Sequence, residues 1–167
     1  MAAFCFYLSS AIAIIATLLV ITNSRPVHAL LYLVVSLLAI SMCFFSLGAP
    51  FAGALEIIVY AGAIMVLFIF VVMMLNLGTQ TVNQELQWLS PKTWVGPTLL
   101  SSILLIEFLF VICVGDTGLT IGNITVTPIE VGLSLFSTYL LAVELASLLL
   151  LAALVTAYHI GRQEAKD

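Results

Sequence analysis

The sequence predicts an all-α integral membrane protein with five transmembrane helices. Of its 167 residues, 63% are hydrophobic and 7% are charged, whereas soluble domains carry about 25% charged residues. Five apolar stretches are each long enough to cross a hydrocarbon core of about 30 Å. Too few polar side chains remain to cover a globule, so we expect residues 1–167 to form a single membrane domain. The four Lys and Arg residues are scattered and predict no nucleic-acid partner.

The apolar stretches define the predicted spans. They cover about residues 2–21, 27–47, 51–77, 93–114 and 135–158. No basic segment precedes the first span, so it is not expected to be a cleaved signal peptide. Gly48-Ala49-Pro50 predicts a tight turn, because Gly commonly ends a helix and Pro commonly opens one. The second and third spans are therefore expected to be antiparallel neighbours.

Two of the connecting segments carry weaker structural signals. In the polar loop 78–91, Thr81 and Gln84 have the spacing of a capping box, which predicts a short helix on the membrane surface. In the long loop 115–132, two alternating segments flank Gly122-Asn123. Such a pattern predicts a small β-hairpin between the fourth and fifth spans.

The cations predict how the chain is oriented. With five spans, Arg25, Lys92, Arg162 and Lys166 all fall on one side of the membrane. The positive-inside rule assigns that side to the cytoplasm. The N-terminus is then expected outside, on the periplasmic side of a bacterial membrane, and the C-terminus in the cytoplasm.

The third predicted span has two unusual features. At 1.5 Å per residue, residues 51–77 would form a helix of roughly 40 Å, which exceeds the hydrocarbon core of about 30 Å. Tilt or a local widening of the helix would absorb the excess. In α-helical steps of three and four, Gly53, Glu56, Tyr60 and Ala63 share one face. A carboxyl and a phenol framed by small residues predict a close-packed protein neighbour.

Three acids lie inside predicted spans and are candidates for a proton path. A charged acid at the bilayer centre costs at least about 2.5 kcal/mol, so a buried carboxyl is favoured in its neutral form and can release its proton when its surroundings change. Glu56, together with Tyr60, is the strongest candidate. An alternative is that Glu56, about five residues from the outer end of its span, reaches the lipid headgroups.

The other two acids differ in their helical neighbours. Glu144 shares a predicted face with Ser137, Leu140 and Ser147, as expected for a helix contact. Glu107 has no polar companion on its own face and is the weak candidate of the three.

The sequence predicts no catalytic, cofactor-binding or metal site in this chain. We find no Ser-His-Asp set, no phosphate loop and no spacing typical of haem or iron–sulfur ligands. The three cysteines form no C-x-x-C pair. Five spans with two or three isolated acids also provide too few polar groups for a complete proton pump. Other subunits would therefore have to supply most of a proton path.

Three segments carry a family resemblance. They are PVHALLYL at residues 26–33, the stretch 51–77 with GALEIIVYAGAIMVLF inside it, and residues 139–151 with LAVELAS inside it. On these segments the chain closely resembles the subunit J family of bacterial NADH:quinone oxidoreductase, respiratory complex I. It is more distantly similar to the mitochondrially encoded subunit six of that enzyme.

The resemblance implies a switch element in the third span. In this family the span is thought to convert between a π-bulged and a regular helix near the positions matching Tyr60, Ala61, Gly62 and Ala63. A one-residue bulge rotates the helix beyond it by about 100°, which would open or close a chain of waters. The alternative is that Gly62 only lets a neighbouring helix approach closely.

The resemblance also implies partners and a location. The subunit would lie in the bacterial inner membrane beside subunits K, A, H and N, and through them contact the peripheral NADH-oxidising arm. NADH, FMN, iron–sulfur clusters and quinone would belong to partner subunits. The implied function is coupling of quinone reduction to proton translocation. Two alternatives stay open: a subunit of a cation/proton antiporter, and a purely structural spacer in the respiratory complex.

Overall fold

A computed structural model describes residues 2–23, 26–75, 91–114 and 125–161 of the chain. The elements in these residues are all helical. They are α1 (Ala2–Thr22), α2 (Pro26–Ser46), α3 (Pro50–Leu55), a π-helix (Glu56–Ile64), α4 (Met65–Leu75), α5 (Pro91–Val114), α6 (Pro128–Phe136) and α7 (Leu140–Gly161).

The described residues confirm the prediction of an all-helical fold with five helices long and apolar enough to span a membrane. Five helical stretches are long and apolar enough to cross a membrane: Ala3–Thr22, Pro26–Ser46, Pro50–Val72, Trp94–Cys113 and Leu140–Gly161. The third is built from α3, the π-helix and α4, and we call these residues, 50–75, the third span. The predicted surface helix lies outside the described residues. So does most of the predicted hairpin, of which Thr125 and Val126 are described without strand structure.

The turn before the third span has the predicted form. Gly48 has a φ of 82°, a left-handed conformation that favours glycine. Pro50 occupies the first turn of α3, where its missing N–H leaves no hydrogen bond unmade. The third span consequently packs back against α2.

The described residues fall into two compact units, 1–126 and 127–167, which are described separately. The core of the first unit lies mainly between α1 and α2, with Leu104 of α5 against it. Ala16 and Ala39 are fully buried at this contact, and such small side chains let membrane helices approach closely. The hydroxyls of Thr17 and Ser36 hydrogen-bond across the same contact at 2.8 Å.

The second unit corrects the prediction for the fifth span. One helix was predicted over residues 135–158, but α6 ends at Phe136 and α7 begins at Leu140. Thr127 and Glu130 form a capping box that starts α6 within the predicted loop, so the predicted loop boundary at residue 132 is also wrong. Ser, Thr and Tyr at 137–139 are weak helix formers, and these three residues form the turn between the helices.

The glycine at the α2 contact provides a test of this packing. A Cβ atom at Gly53 would lie 3.1 Å from both the Ser41 carbonyl oxygen and the Phe45 ring. Gly53→Val is therefore expected to destabilise the protein by about 1–3 kcal/mol through overpacking. The measurement is the temperature at which half of the protein is lost from detergent extracts on heating. Gly132→Val is the matched control, because no atom lies within 4 Å of its added Cβ; equal stability of the two variants would contradict the packing.

Candidate functional site

The centre of the third span is a π-helix of nine residues, Glu56–Ile64. Its hydrogen bonds run from residue i to i−5, as in the bond from the Met65 N–H to the Tyr60 carbonyl. π-Helices are rare, are usually a single turn, and are frequent at functional sites. The segment contains Glu56 and all four residues at which the resemblance implied a one-residue bulge, and it is several residues longer than such a bulge.

A buried hydrogen bond fixes the chain just before the π-helix. The Ser41 hydroxyl of α2 donates to the Gly53 carbonyl at 2.8 Å. Both residues are buried, and the absence of a side chain at Gly53 is what lets the two backbones come this close. The start of the π-helix is thus held against α2.

The predicted face of the third span is corrected by the π-helix. Gly53 is buried, but Tyr60 is 54% exposed and Ala63 is exposed as well. The buried residues beyond Gly53 are instead Ala61 and Met65. The prediction used α-helical steps, whereas i→i−5 bonding places more residues in each turn and changes which side chains share a face.

Glu56 lies in the first turn of the π-helix and is partly buried. The neighbouring exposed positions are Tyr60, Gly62 and Ala63. The structure therefore brings the strongest acid candidate and the proposed switch residues into one element, on a helix whose exposed side is available to lipid or to another protein.

Glu107 has a polar partner that the pattern along its own helix did not reveal. Ser9 of α1 donates to Glu107 Oε1 at 2.7 Å, and both side chains are buried, Glu107 at 5% exposure. Glu107 Oε2 is also buried and has no hydrogen-bond partner among the described residues. Ser9 is thus a residue that sequence reasoning missed, because it lies 98 positions away in the chain.

Glu144 lies in α7 and is exposed within the described structure. The Ser147 hydroxyl donates to the Glu144 backbone carbonyl at 2.7 Å. Ser137 was predicted to share the face of Glu144, but it belongs to the turn before α7 and donates to the Leu133 carbonyl. This turn interrupts the continuous helix on which the shared face of Ser137 and Glu144 was predicted.

The described residues contain no group of three or more His, Cys, Asp or Glu side chains that could hold a metal ion. The cysteines Cys5, Cys43 and Cys113 are all free.

Comparison with known proteins finds relatives among the subunits of NADH-quinone oxidoreductases. A family model described as NADH-ubiquinone/plastoquinone oxidoreductase chain 6 matches residues 16–160. A Pseudomonas aeruginosa protein called NADH-quinone oxidoreductase subunit J is 67% identical over 98% of this chain and 99% of its own length. A protein of the same name from Escherichia coli K12 is 62% identical over 96% of this chain and 87% of its own length. A third protein of this name, from Buchnera aphidicola (subsp. Schizaphis graminum), is 53% identical over 96% of this chain and 98% of its own length.

The hydrogen bond before the π-helix gives a second prediction. Ser41→Ala removes the donor to the Gly53 carbonyl, and loss of one such contact between membrane helices costs about 0.6 kcal/mol on average. Amide hydrogen exchange in residues 54–60, measured by mass spectrometry, is expected to become about threefold faster. Ser10→Ala is the control, since the Ser10 hydroxyl donates to the Tyr7 carbonyl of its own helix. Unchanged exchange in Ser41→Ala would mean that the contact does not hold this segment.

Proposed function

The chain belongs to the NADH-ubiquinone/plastoquinone oxidoreductase chain 6 family, in which its bacterial relatives are called subunit J, and from this we propose that it couples quinone reduction to proton translocation without binding a cofactor itself. It is a membrane subunit of a multisubunit NADH-quinone oxidoreductase, respiratory complex I. The observation that carries the coupling proposal is the π-helix Glu56–Ile64 in the third span.

The mechanism is a conversion of this segment between π- and α-helix. A π-turn holds about one residue more than an α-turn. Converting one π-turn to an α-turn therefore rotates the rest of the helix by about 100°. Backbone hydrogen bonds stay closed within the helix in both forms, as the bilayer requires. The rotation changes which side chains of the third span face a neighbouring proton path, so that a chain of waters is opened in one form and closed in the other.

Individual residues have distinct proposed roles. Glu56 and Tyr60 hold and pass a proton beside the switch, and Ala61, Gly62 and Ala63 provide the small side chains that allow the helix to change its winding. Glu144 is a further candidate on α7, and Glu107 is the weakest. The partial burial of Glu56 and its position in the first π-turn support its role.

The subunit is proposed to lie in the bacterial inner membrane with its N-terminus on the periplasmic side and its C-terminus in the cytoplasm. The positions of its four cations support this orientation. Its proposed neighbours are subunits K, A, H and N, which join the quinone-reducing region to the proton pumps. NADH, FMN, iron–sulfur clusters and quinone bind to partner subunits, and the chain has no catalytic site of its own.

The role of Glu56 is tested by replacing its carboxyl with an amide of the same shape. In Glu56→Gln the side chain can no longer take up or release a proton, so proton pumping is expected to fall more than assembly. NADH-driven acidification of membrane vesicles is measured against the NADH oxidation rate and the amount of assembled complex. Glu56→Asp, which keeps a carboxyl, is the control and should retain more pumping than the Gln variant. Normal pumping by an assembled Glu56→Gln complex would exclude Glu56 from the proton path.

The switch itself is tested at Gly62. A Cβ atom there would lie 3.1 Å from the Ile57 carbonyl oxygen, five residues earlier. Gly62→Leu therefore crowds the π-turn itself, and a shift of about 1 kcal/mol changes the ratio of the two helical forms about fivefold. Pumping per NADH oxidised is expected to fall while the complex still assembles.

Ala63→Leu is the matched control for Gly62→Leu. Ala63 is the next residue, is exposed, and already carries a Cβ atom, so a larger side chain adds bulk to the same surface without crowding the π-turn. If Gly62→Leu and Ala63→Leu reduce pumping equally, the effect belongs to the contact surface. If both Glu56→Gln and Gly62→Leu assemble and pump normally, the chain is a structural spacer.

A further inference from the structure

Glu107 in α5 is the most deeply buried of the acids that the structure describes. Its side chain is 5% exposed, whereas Glu56 is partly buried and Glu130 and Glu144 are exposed. Ser9 of α1 donates to Glu107 Oε1 at 2.7 Å, and Oε2 is buried without a hydrogen-bond partner among the described residues. An ionised carboxyl has about four acceptor sites, so one hydroxyl satisfies only a small part of what a carboxylate needs.

The surroundings of Glu107 at the contact between α1 and α5 are apolar. The side chains that line the space beside it are Phe4, Cys5 and Leu8 from α1 and Ile103, Ile106 and Phe110 from α5. Among these six the Cys5 thiol alone is polar, and it is a weak hydrogen-bond donor. Beyond Ser9, the described residues therefore give Glu107 no chain of polar side chains along which its proton could travel.

The titratable side chains beside Glu107 do not compensate a negative charge. Cys5 of α1 and Cys43 of α2 both lie close enough to interact electrostatically with Glu107. A thiol is either neutral or negative, so neither cysteine stabilises a carboxylate.

The cationic groups of the helices around Glu107 are remote. Lys92 precedes it in α5 by fifteen residues, which is about 22 Å along the helix. His28 precedes Cys43 in α2 by the same number of residues. The amino terminus precedes Ser9 by about two turns of α1, or about 10 Å. None of these groups is placed to form an ion pair with the carboxyl.

These conditions favour the neutral form of the carboxyl. Burying an ionised carboxyl without a paired cation costs far more free energy than burying a neutral polar group that makes one hydrogen bond. The hydrocarbon around a membrane span offers no water to reduce that cost. A proton on Glu107 removes the cost of the charge, and the hydrogen bond to Ser9 remains.

We propose that Glu107 is a proton-binding site that stays occupied at neutral pH, and that the neutral carboxyl joins α5 to α1 through Ser9 without exchanging its proton during turnover. This inference does not depend on the coupling proposed for the third span. It gives the weakest of the candidate acids a role outside the proton path.

The protonation state is tested by the pH dependence of heat stability in the purified complex, for the wild type and Glu107→Gln in parallel. Unfolding exposes the carboxyl, which then releases its proton. Each rise of one pH unit should therefore favour unfolding of the wild type by up to tenfold. Glu107→Gln has no such proton to release. We expect the wild type to lose stability relative to Glu107→Gln between about pH 6 and about pH 9. A difference between the two that is constant over this range would mean that Glu107 is ionised, and would overturn the proposal.

Proton pumping tests whether Glu107 lies outside the proton path. Glu107→Gln keeps a neutral group that can hydrogen-bond to Ser9, so the assembled complex should pump as many protons per NADH oxidised as the wild type. Reduced pumping by an assembled Glu107→Gln complex would overturn this part of the inference, whatever the effect of Glu56→Gln. Loss of pumping in Glu56→Gln alone would support both proposals, and normal pumping in both variants would contradict the role of Glu56 only.

The link between α1 and α5 is tested by a double-mutant comparison. Ser9→Ala removes one interhelical hydrogen bond and should favour unfolding about threefold. In a Glu107→Leu background the same substitution should have no effect, because the partner is already gone. If Glu107→Leu does not assemble, Glu107→Met provides the apolar background. An equal effect of Ser9→Ala in both backgrounds would show that the Ser9–Glu107 bond does not join the two helices.

Discussion

Each membrane span must close its backbone hydrogen bonds within itself, because hydrocarbon offers no other partner. This constraint explains why the irregular part of the third span is a π-helix and not a loop. The i→i−5 bonds of Glu56–Ile64 keep the backbone paired while changing the number of residues in a turn. A soluble protein could place a flexible hinge at such a point, whereas a membrane span can change shape only by passing from one closed helical pattern to another.

The helices of the first unit are joined by a few hydrogen bonds from small hydroxyl side chains. Ser9 bonds to Glu107, Thr17 pairs with Ser36, and Ser41 bonds to the Gly53 carbonyl. Polar contacts between membrane helices average only about 0.6 kcal/mol, so these bonds fix which surfaces meet without locking the bundle. Many large hydrophobic side chains are exposed on the outside of these helices. This is expected of a chain whose faces are covered by lipid and other subunits.

Sequence reasoning was reliable where the physics is local. Hydropathy located the five spans, because insertion into lipid depends on the composition of each stretch, and Gly48 and Pro50 located a turn through their own backbone preferences. It failed where a small energy difference, or a partner distant in the sequence, determines the structure. Two features have no periodic signal in the sequence. One is the choice of i→i−5 over i→i−4 bonding across nine residues, and the other is the pairing of Glu107 with Ser9. The break at residues 137–139 had a local signal in three weak helix formers, and Thr127, Pro128 and Glu130 mark the start of α6. The apolar pattern that continues across the turn obscured both.

The composition of α4 is compatible with the proposed rotation of the third span. The Ser41 bond holds the chain at Gly53, just before the π-helix, so a change in winding would be transmitted mainly forward into Met65–Leu75. All eleven residues of α4 are apolar. A turn of about 100° therefore exchanges one apolar face for another, with little change in the free energy of contact with lipid. A polar stripe on α4 would have tied it to one orientation, and its absence from this helix makes both windings of the proposed switch compatible with lipid.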